Sequence, residues 1–430
     1  MMLSLRNDRY RTGCYSLFLA MMGRSTAMNA GLSKCFSGFA LMLCLAPVCA
    51  GQFAAVGTPD VTERLAGVVD GVVRPLMQAH DVPGVAVAVS VAGQQYYFNH
   101  GVTALEGGAA VSEHTLFEIG SLSKTFTATL VALAAEEAAL ELEDPASRHL
   151  PALAGSRFDH ITVLQLGTYT AGGLPLQFPD EVKDEAGMVR YYRGWQASYE
   201  PGSHRLYSNP SLGLFGHLAA QSLGQAFEDA MMQRVFAPLA MKDSHYAVPV
   251  DRLADYAWGH DREGRPLRVR PGVFDAEAYG VKSSAADLLR FVDAQLGNIE
   301  VDAALVRAMR ATRMGYVQIE AMTQGLGWEH YPYPVSLAQL QAGNAAQIVL
   351  EAQPAVRLQP PSPAAEDRLF NKTGATNGFG AYVVFVPAQR TGVVFLANRN
   401  LPTPVRVQAV HTILQALHGV DARAAAPTPR

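Results

Sequence analysis

The sequence predicts an α/β chain: an antiparallel sheet assembled from both ends of the polypeptide, flanked by N- and C-terminal helices and carrying a helical insertion lobe. Three observations predict it. β-Branched and apolar runs gather near residues 84–100 and again after residue 371. Between about 130 and 280, helical periodicity and loops dominate. Apolar positions at helical spacing recur at 61–78 and at 404–418, outside the strands on either side. With 430 residues, 49% hydrophobic and 17% charged, the chain is long enough for a sizeable core shared by two lobes.

The first fifty residues read as a targeting segment. A short stretch from Met28 to Lys34 carries the positive charge, Phe36–Leu45 is apolar but too short to span comfortably, and Ala46–Ala50 gives a small-residue exit. That is the pattern of a secretory signal peptide cleaved after Ala50, with residues 1–27 an upstream extension and Met28 the expected start. Cys14, Cys35, Cys44 and Cys49 are all the cysteines there are, so the cleaved chain would have neither disulfide nor thiol chemistry. A lipid anchor through Cys44 or Cys49 lacks the small residues expected before it. No later apolar run reads as a membrane span, so the expectation is an exported, periplasmic protein.

Element by element, 61–78 is an N-terminal helix, and Gly84–Val91 with Gln94–His100 a hairpin about Ala92 and Gly93. A helix runs from Ser121 to about Leu140. Further helical segments follow at Thr162–Tyr169, Glu185–Trp195, Ser211–Leu223 and Ala226–Phe236. Strands return at Gly325–Trp328, Asn371–Thr373, Phe379–Val386 and Gly392–Ala397, before a terminal helix at Pro404–His418. The expected organisation is one domain over 51–420, with a sheet lobe of about 55–125 and 281–420 around a helical lobe of about 126–280. Residues 421–430 read as a disordered tail.

A formal net charge of -4, with no broad basic patch standing out, gives no reason to expect a nucleic-acid partner. The twelve histidines show neither H-E-x-x-H nor H-x-H spacing, so a zinc enzyme is not expected. Few positive charges are lysine, which draws attention to Lys124 and Lys372.

Those two lysines sit in three short stretches that together carry chemistry: Ser121-Leu122-Ser123-Lys124, Tyr207-Ser208-Asn209 and Lys372-Thr373-Gly374. Free serine is a poor nucleophile, and needs a proton acceptor and a site for the oxyanion that follows. Ser121 opens a predicted helix, where unpaired N–H groups and the helix dipole favour negative charge. Lys124, three residues on, shares its face and can donate to the serine oxygen or, if neutral, accept from it. Two nearby ammonium groups would pull the Tyr207 phenol down from its usual pKa of about 10, making it a candidate base. Asn209 can both donate and accept, which suits holding Lys124 and a substrate amide. Lys372 and Thr373 can bind a carboxylate. Gly374 would let a substrate pair along the strand edge, and the Ala375 N–H can be a second oxyanion donor beside that of Ser121.

With these residues in hand, the chain resembles the class C serine β-lactamases, the AmpC-type cephalosporinases, from about Val61 to His418. The motifs that carry the resemblance are Phe117–Thr127, Tyr169–Gln177, Arg205–Asn209, Ala278–Ser283 and Asn371–Pro387. The resemblance implies a β-lactamase/transpeptidase-like fold, a monomer, and hydrolysis of β-lactams, cephalosporins preferentially, through an acyl-enzyme on Ser121 without cofactor. It also implies that Gln177 and Asn209 contact the acylamide side chain, and that Tyr256 lines that pocket. Asn344, Asn400 and Arg406 would lie near the substrate carboxylate or support it. Thr403 stands where the family often has asparagine, and Asn371 where it often has histidine. The same motifs serve DD-peptidases and penicillin-binding proteins. An esterase of this fold usually lacks an intact Lys-Thr-Gly, and a penicillin sensor needs a membrane span or partner domain.

Overall fold

Every residue of Gly84–Val91 is buried, because small and β-branched side chains alternate between two packed faces. The computed structural model describes residues 59–417, so the leader at 1–50 and the tail from 421 lie outside the described residues. One large sheet runs through the described residues. Its strands are β1 (Gly84–Val91), β2 (Gln94–Gly101), β3 (Gly315–Gln318), β4 (Thr323–Gln324), β5 (Glu329–Pro332), β6 (Val356–Ser362), β7 (Arg368–Ala375), β8 (Gly380–Val386) and β9 (Thr391–Ala397). They lie in the order β6-β3-β4-β5-β7-β8-β9-β1-β2, every pair antiparallel. The first strand therefore pairs with the last, Val85 opposite Ala397 and Val91 opposite Thr391. A β-lactamase/transpeptidase-like fold is the result, as expected from strands at both ends.

Alternation decides what covers each face. Val85, Val87, Val89, Phe395 and Val393 join a core with Leu65, Val69 and Val73 of α1 (Pro59–Ala79) and Val410, Ile413 and Leu414 near the C-terminus. Ala86, Ala88, Val394 and Leu396 face the other way. There they meet Phe126 and Leu130 of α2 (Ser123–Glu136) and Leu288 and Val292 of α3 (Ala285–Leu296). Small residues on that second face let α3 approach closely: a β-carbon at Gly392 would fall 2.3 Å from Val292. Each fully buried Val, Leu or Phe contributes roughly 1.5–3 kcal/mol.

The N-terminal helix, the hairpin and the last three strands form where the pattern puts them, and the terminal helix α4 spans Thr403–Leu417. The expected strand at Gly325–Trp328 is instead the turn between β4 and β5, closed by Gly325 N donating to Trp328 O at 2.8 Å. Gly327 has φ +74°, and a β-carbon there would meet Lys124 O at 2.8 Å, so the turn seats on the helix that follows Ser121. That helix begins at Ser123, two residues later than expected, after a 3-10 turn at Gly120–Leu122. Strands β3 and β6 escape the sequence reading, and so does helix α3, although its apolar residues recur at helical spacing. One detail positions the site. β5 pairs with β7 only over Arg368–Asn371, whereas β8 pairs with it through Ala375, so Lys372–Ala375 keeps one open edge.

Candidate active site

Two glycines bring the serine turn onto that open edge. Gly120 has φ +53°, and a β-carbon there would lie 2.5 Å from the Ala375 nitrogen. One at Gly374 would lie 1.9 Å from the Ile119 carbonyl oxygen. The missing side chain of Gly374 thus makes room for the chain's own serine turn beside the open strand edge. Ser123 locks the turn, its hydroxyl donating to Gly120 O at 2.8 Å and accepting from Val281 N at 3.1 Å.

Lys124 is fully buried beneath Ser121, and its ammonium donates to Ser121 Oγ at 3.0 Å and to Ala278 O at 2.6 Å. Burial pushes its pKa down to about 8. The backbone carbonyl of Ala278 thus takes the place expected for Asn209, whose Oδ1 is buried without a hydrogen bond. Tyr207 lies between the strand pairing at His204–Arg205 and the helix Asn209–Ser222, which Ser208 caps by accepting from Ser211 N at 3.0 Å. Lys124 Nζ is 5.1 Å and Lys372 Nζ 5.3 Å from the centre of its ring. Burial alone would raise the phenol's pKa, but the two ammonium groups outweigh it and the net shift is downward. Its hydroxyl is buried within reach of Ser121 and Lys124, with no well-aligned hydrogen bond among the described residues.

Beneath this cluster lies a network that the motifs do not announce. Glu329 of β5 is buried, 3.3 Å from Arg205 Nη2 and 3.7 Å from Lys372 Nζ. Arg205 also donates to Gln324 Oε1 at 2.8 Å and Ile348 O at 2.9 Å, while its guanidinium lies 5.1 Å from the Tyr169 ring centre. Tyr169 packs at 4.8 Å against Tyr207. No local sequence signal marks Glu329, because its partners come from distant strands.

Ser121, Gln177, Asn209, Ala375 and Asn400 line one cleft of about 730 Å³, and Lys124, Tyr207 and Lys372 are buried beneath Ser121. Thr373 sits half-buried on the same open edge. Arg406 does not reach into this cleft. It is buried, donates to the Gly374 and Ala381 carbonyls and to Thr403 Oγ1, and so braces β7 from behind. Asn344 is likewise withdrawn, bonded to Asn371 Oδ1 at 2.9 Å and Leu340 O at 2.9 Å. Asn371 in turn donates to Glu329 O at 2.9 Å. The expectation for Tyr256 fails: its hydroxyl donates to buried Glu118 at 2.6 Å and its ring lies under Arg268. Tyr279 lines the cleft instead. It lies within the recognised Ala278–Ser283 stretch, the one signal that could have found it.

Fold and site residues together are those of the penicillin-recognising serine enzymes. A sequence model of the Beta-lactamase family matches residues 69–418, and the chain belongs to that family. It is 51% identical over 350 residues to a beta-lactamase of Pseudomonas fluorescens, covering 81% of this chain and 98% of that one. A class C beta-lactamase solved in complex with cefoxitin superposes with TM-score 0.81 at 41% identity, covering 83% of this chain and all of the other, 100%. A structure named as a D-alanine carboxypeptidase, AmpC, from Burkholderia cenocepacia superposes with TM-score 0.80 at 44% identity, covering 83% and 99%. The chain is thus a hydrolase acting on β-lactams, similar in structure to class C enzymes.

Proposed function

We propose that the protein is an exported class C serine β-lactamase that works through an acyl-enzyme on Ser121 and prefers cephalosporins. The observation that carries this reading is the Tyr207 hydroxyl: buried, beside Ser121, and on a ring flanked by the Lys124 and Lys372 ammonium groups. As phenolate, Tyr207 takes the Ser121 Oγ proton while Oγ attacks the lactam carbonyl carbon. The N–H groups of Ser121 and Ala375 receive the oxyanion. On collapse the C–N bond breaks and Tyr207 returns its proton to the leaving nitrogen. It then takes a proton from water as the water oxygen attacks the ester carbonyl carbon, and on collapse returns that proton to the departing Ser121 Oγ as the ring-opened acid leaves. The sequence of steps balances with water alone.

Gln177 and Asn209 are assigned to the acylamide, and Lys372, Thr373 and Asn400 to the carboxylate, with Gly374, Arg406 and Asn344 supporting the strand. Tyr279 replaces Tyr256 as an aromatic lining residue. Export to the periplasm rests on the residues 28–50 pattern, and no described helix is long and apolar enough to cross a membrane. A monomer is the expected state. The carboxypeptidase names among the structural neighbours favour one second reading, a DD-peptidase that β-lactams merely acylate.

Hydrolysis of a chromogenic cephalosporin by purified protein separates the two. Steady turnover supports the lactamase, whereas a stoichiometric burst that stalls supports the peptidase. Ser121→Ala should abolish covalent labelling by a penicillin, and a persistent adduct elsewhere by mass spectrometry would overturn the nucleophile.

A further inference from the structure

The end of the cleft away from Lys372 is basic. Val269 N–H and the Thr376 hydroxyl donate to the two oxygens of Glu118 at 2.7 and 2.6 Å. The carboxylate thereby ties the loop at 266–270 to the far end of β7, beyond Ala375. Lys372 and Thr373 stand at the other end of the same open edge. A ring carboxylate held there leaves the acyl side chain to run toward Ala375, Thr376 and this loop.

Arg268 and Arg270 of the loop line the cleft, and among the described residues no aspartate or glutamate lines it with them. The Arg268 guanidinium lies between the rings of Tyr256 and Trp258, 3.7 and 4.1 Å from their centres. It donates to the main-chain oxygens of Tyr256 and Ala257. Such packing fixes a cation in place without neutralising it. Glu118 lies behind Arg268 and offsets part of its charge, but its oxygens are taken by Tyr256, Val269 and Thr376, so it forms no ion pair with the guanidinium among the described residues and leaves Arg270 uncompensated. Arg270 is exposed and makes no ion pair or hydrogen bond among the described residues.

We propose that Arg268 and Arg270 make this end of the cleft selective for substrates whose acyl side chain carries a carboxylate. The inference rests on acylation of Ser121 by β-lactams and concerns substrate class, not the reaction. A planar guanidinium held by its neighbours can take a carboxylate with little loss of side-chain freedom, and Arg270 adds a second, mobile charge.

Benzylpenicillin and its α-carboxy derivative differ by one side-chain carboxylate and form the test pair. The rate of Ser121 acylation per unit concentration is followed by intact mass, so preference is read even where hydrolysis stalls. Arg270→Ala should lower the ratio for the α-carboxy compound by about tenfold, and Arg270→Glu by more. In the wild type the ratio should also shrink as salt rises, since exposed charges are screened over about 8–10 Å. A ratio that moves less than about twofold overturns the proposal, as does equal slowing of both compounds with unchanged melting temperature. Absence of any Ser121 adduct with either compound overturns the acylation reading as well. Adducts that form with an unmoved ratio overturn this inference alone.

Discussion

At the floor of the cleft Tyr207 OH and Asn209 Oδ1 are buried with no hydrogen bond, and Lys124 is an ammonium group with no solvent at all. At the rim, a few residues away, the equally buried Glu118 accepts from Tyr256, Val269 and Thr376 and wastes no lone pair that matters. Burial is the same in both regions, and satisfaction is not. An unpaired buried polar group costs roughly 1–3 kcal/mol, and such atoms also occur away from the cleft, as at Gln295 and His330. What sets the floor apart is that its unpaired atoms lie beside Ser121 and two buried lysines. The rim holds the loop that shapes the space above them.

Tyr207→Phe should break the comparison hardest. It keeps the ring contacts with Tyr169 and removes only the unsatisfied hydroxyl, so the protein should fold normally while kcat falls roughly 10²–10⁴-fold. Pre-steady-state kinetics should show acylation and deacylation both slowed. A variant within a few-fold of wild type in both steps would mean that neutral Lys124 or the substrate supplies the base.

The next effect is on pH dependence. Below about pH 8 Lys124 keeps its proton and, with Lys372, holds the Tyr207 phenol below its ordinary pKa. Raising the pH through about 8 removes the Lys124 proton and with it one of the two stabilising cations. The kcat/KM profile should therefore carry an alkaline limb near pH 8. Loss of Lys372 should move the acid limb upward, because the phenol's pKa climbs. A flat profile up to about pH 10, the ordinary range for lysine, would contradict the burial argument.

Tyr256→Phe tests the rim. It removes one of the three donors to Glu118 and should cost about 1–2 kcal/mol of stability in a denaturant titration. kcat for a cephalosporin should change little, since the hydroxyl is committed to Glu118 and Tyr256 does not line the cleft. A large kcat loss with unchanged stability would restore this residue to the pocket lining.

Much of the site was legible because each motif packs its chemistry within four residues. Ser121 and Lys124 share a helical turn, and Lys372 to Gly374 share a strand edge, so short-range geometry alone relates them. The fold was legible where the period was strong, as in β1, β2, β8 and β9. What stayed hidden depends on contacts across the chain. Glu329 matters through Arg205 and Lys372, Glu118 through residues more than a hundred positions away. Gly325–Trp328 looked like a strand since its residues are apolar, yet they are buried because the turn packs on α2. Tyr256 and Tyr279 are both tyrosines in loops, and only the placement of Arg268 over the first tells them apart.

Thr403→Asn should produce the smallest change. The Thr403 hydroxyl already accepts from Arg406 at 3.0 Å, so an amide there rearranges one contact behind β7. Michaelis constants and inhibitor affinities should shift a few-fold, with kcat nearly constant. A large fall in kcat at unchanged KM would place the residue's effect in the transition state.

The open edge at Lys372–Ala375 has a consequence for how the molecule behaves in a crowd. Unpaired strand edges are templates for other chains, and proteins with exposed ones are prone to fibril growth and domain exchange. Here the edge is recessed, with the Gly120 turn pressed against the Ala375 peptide and the Glu118 tie closing the far end. A neighbouring protein's strand needs the full spacing of about 4.7–4.9 Å along several residues and cannot enter. A small amide can. The geometry that admits a single short ligand is therefore also a guard against self-association.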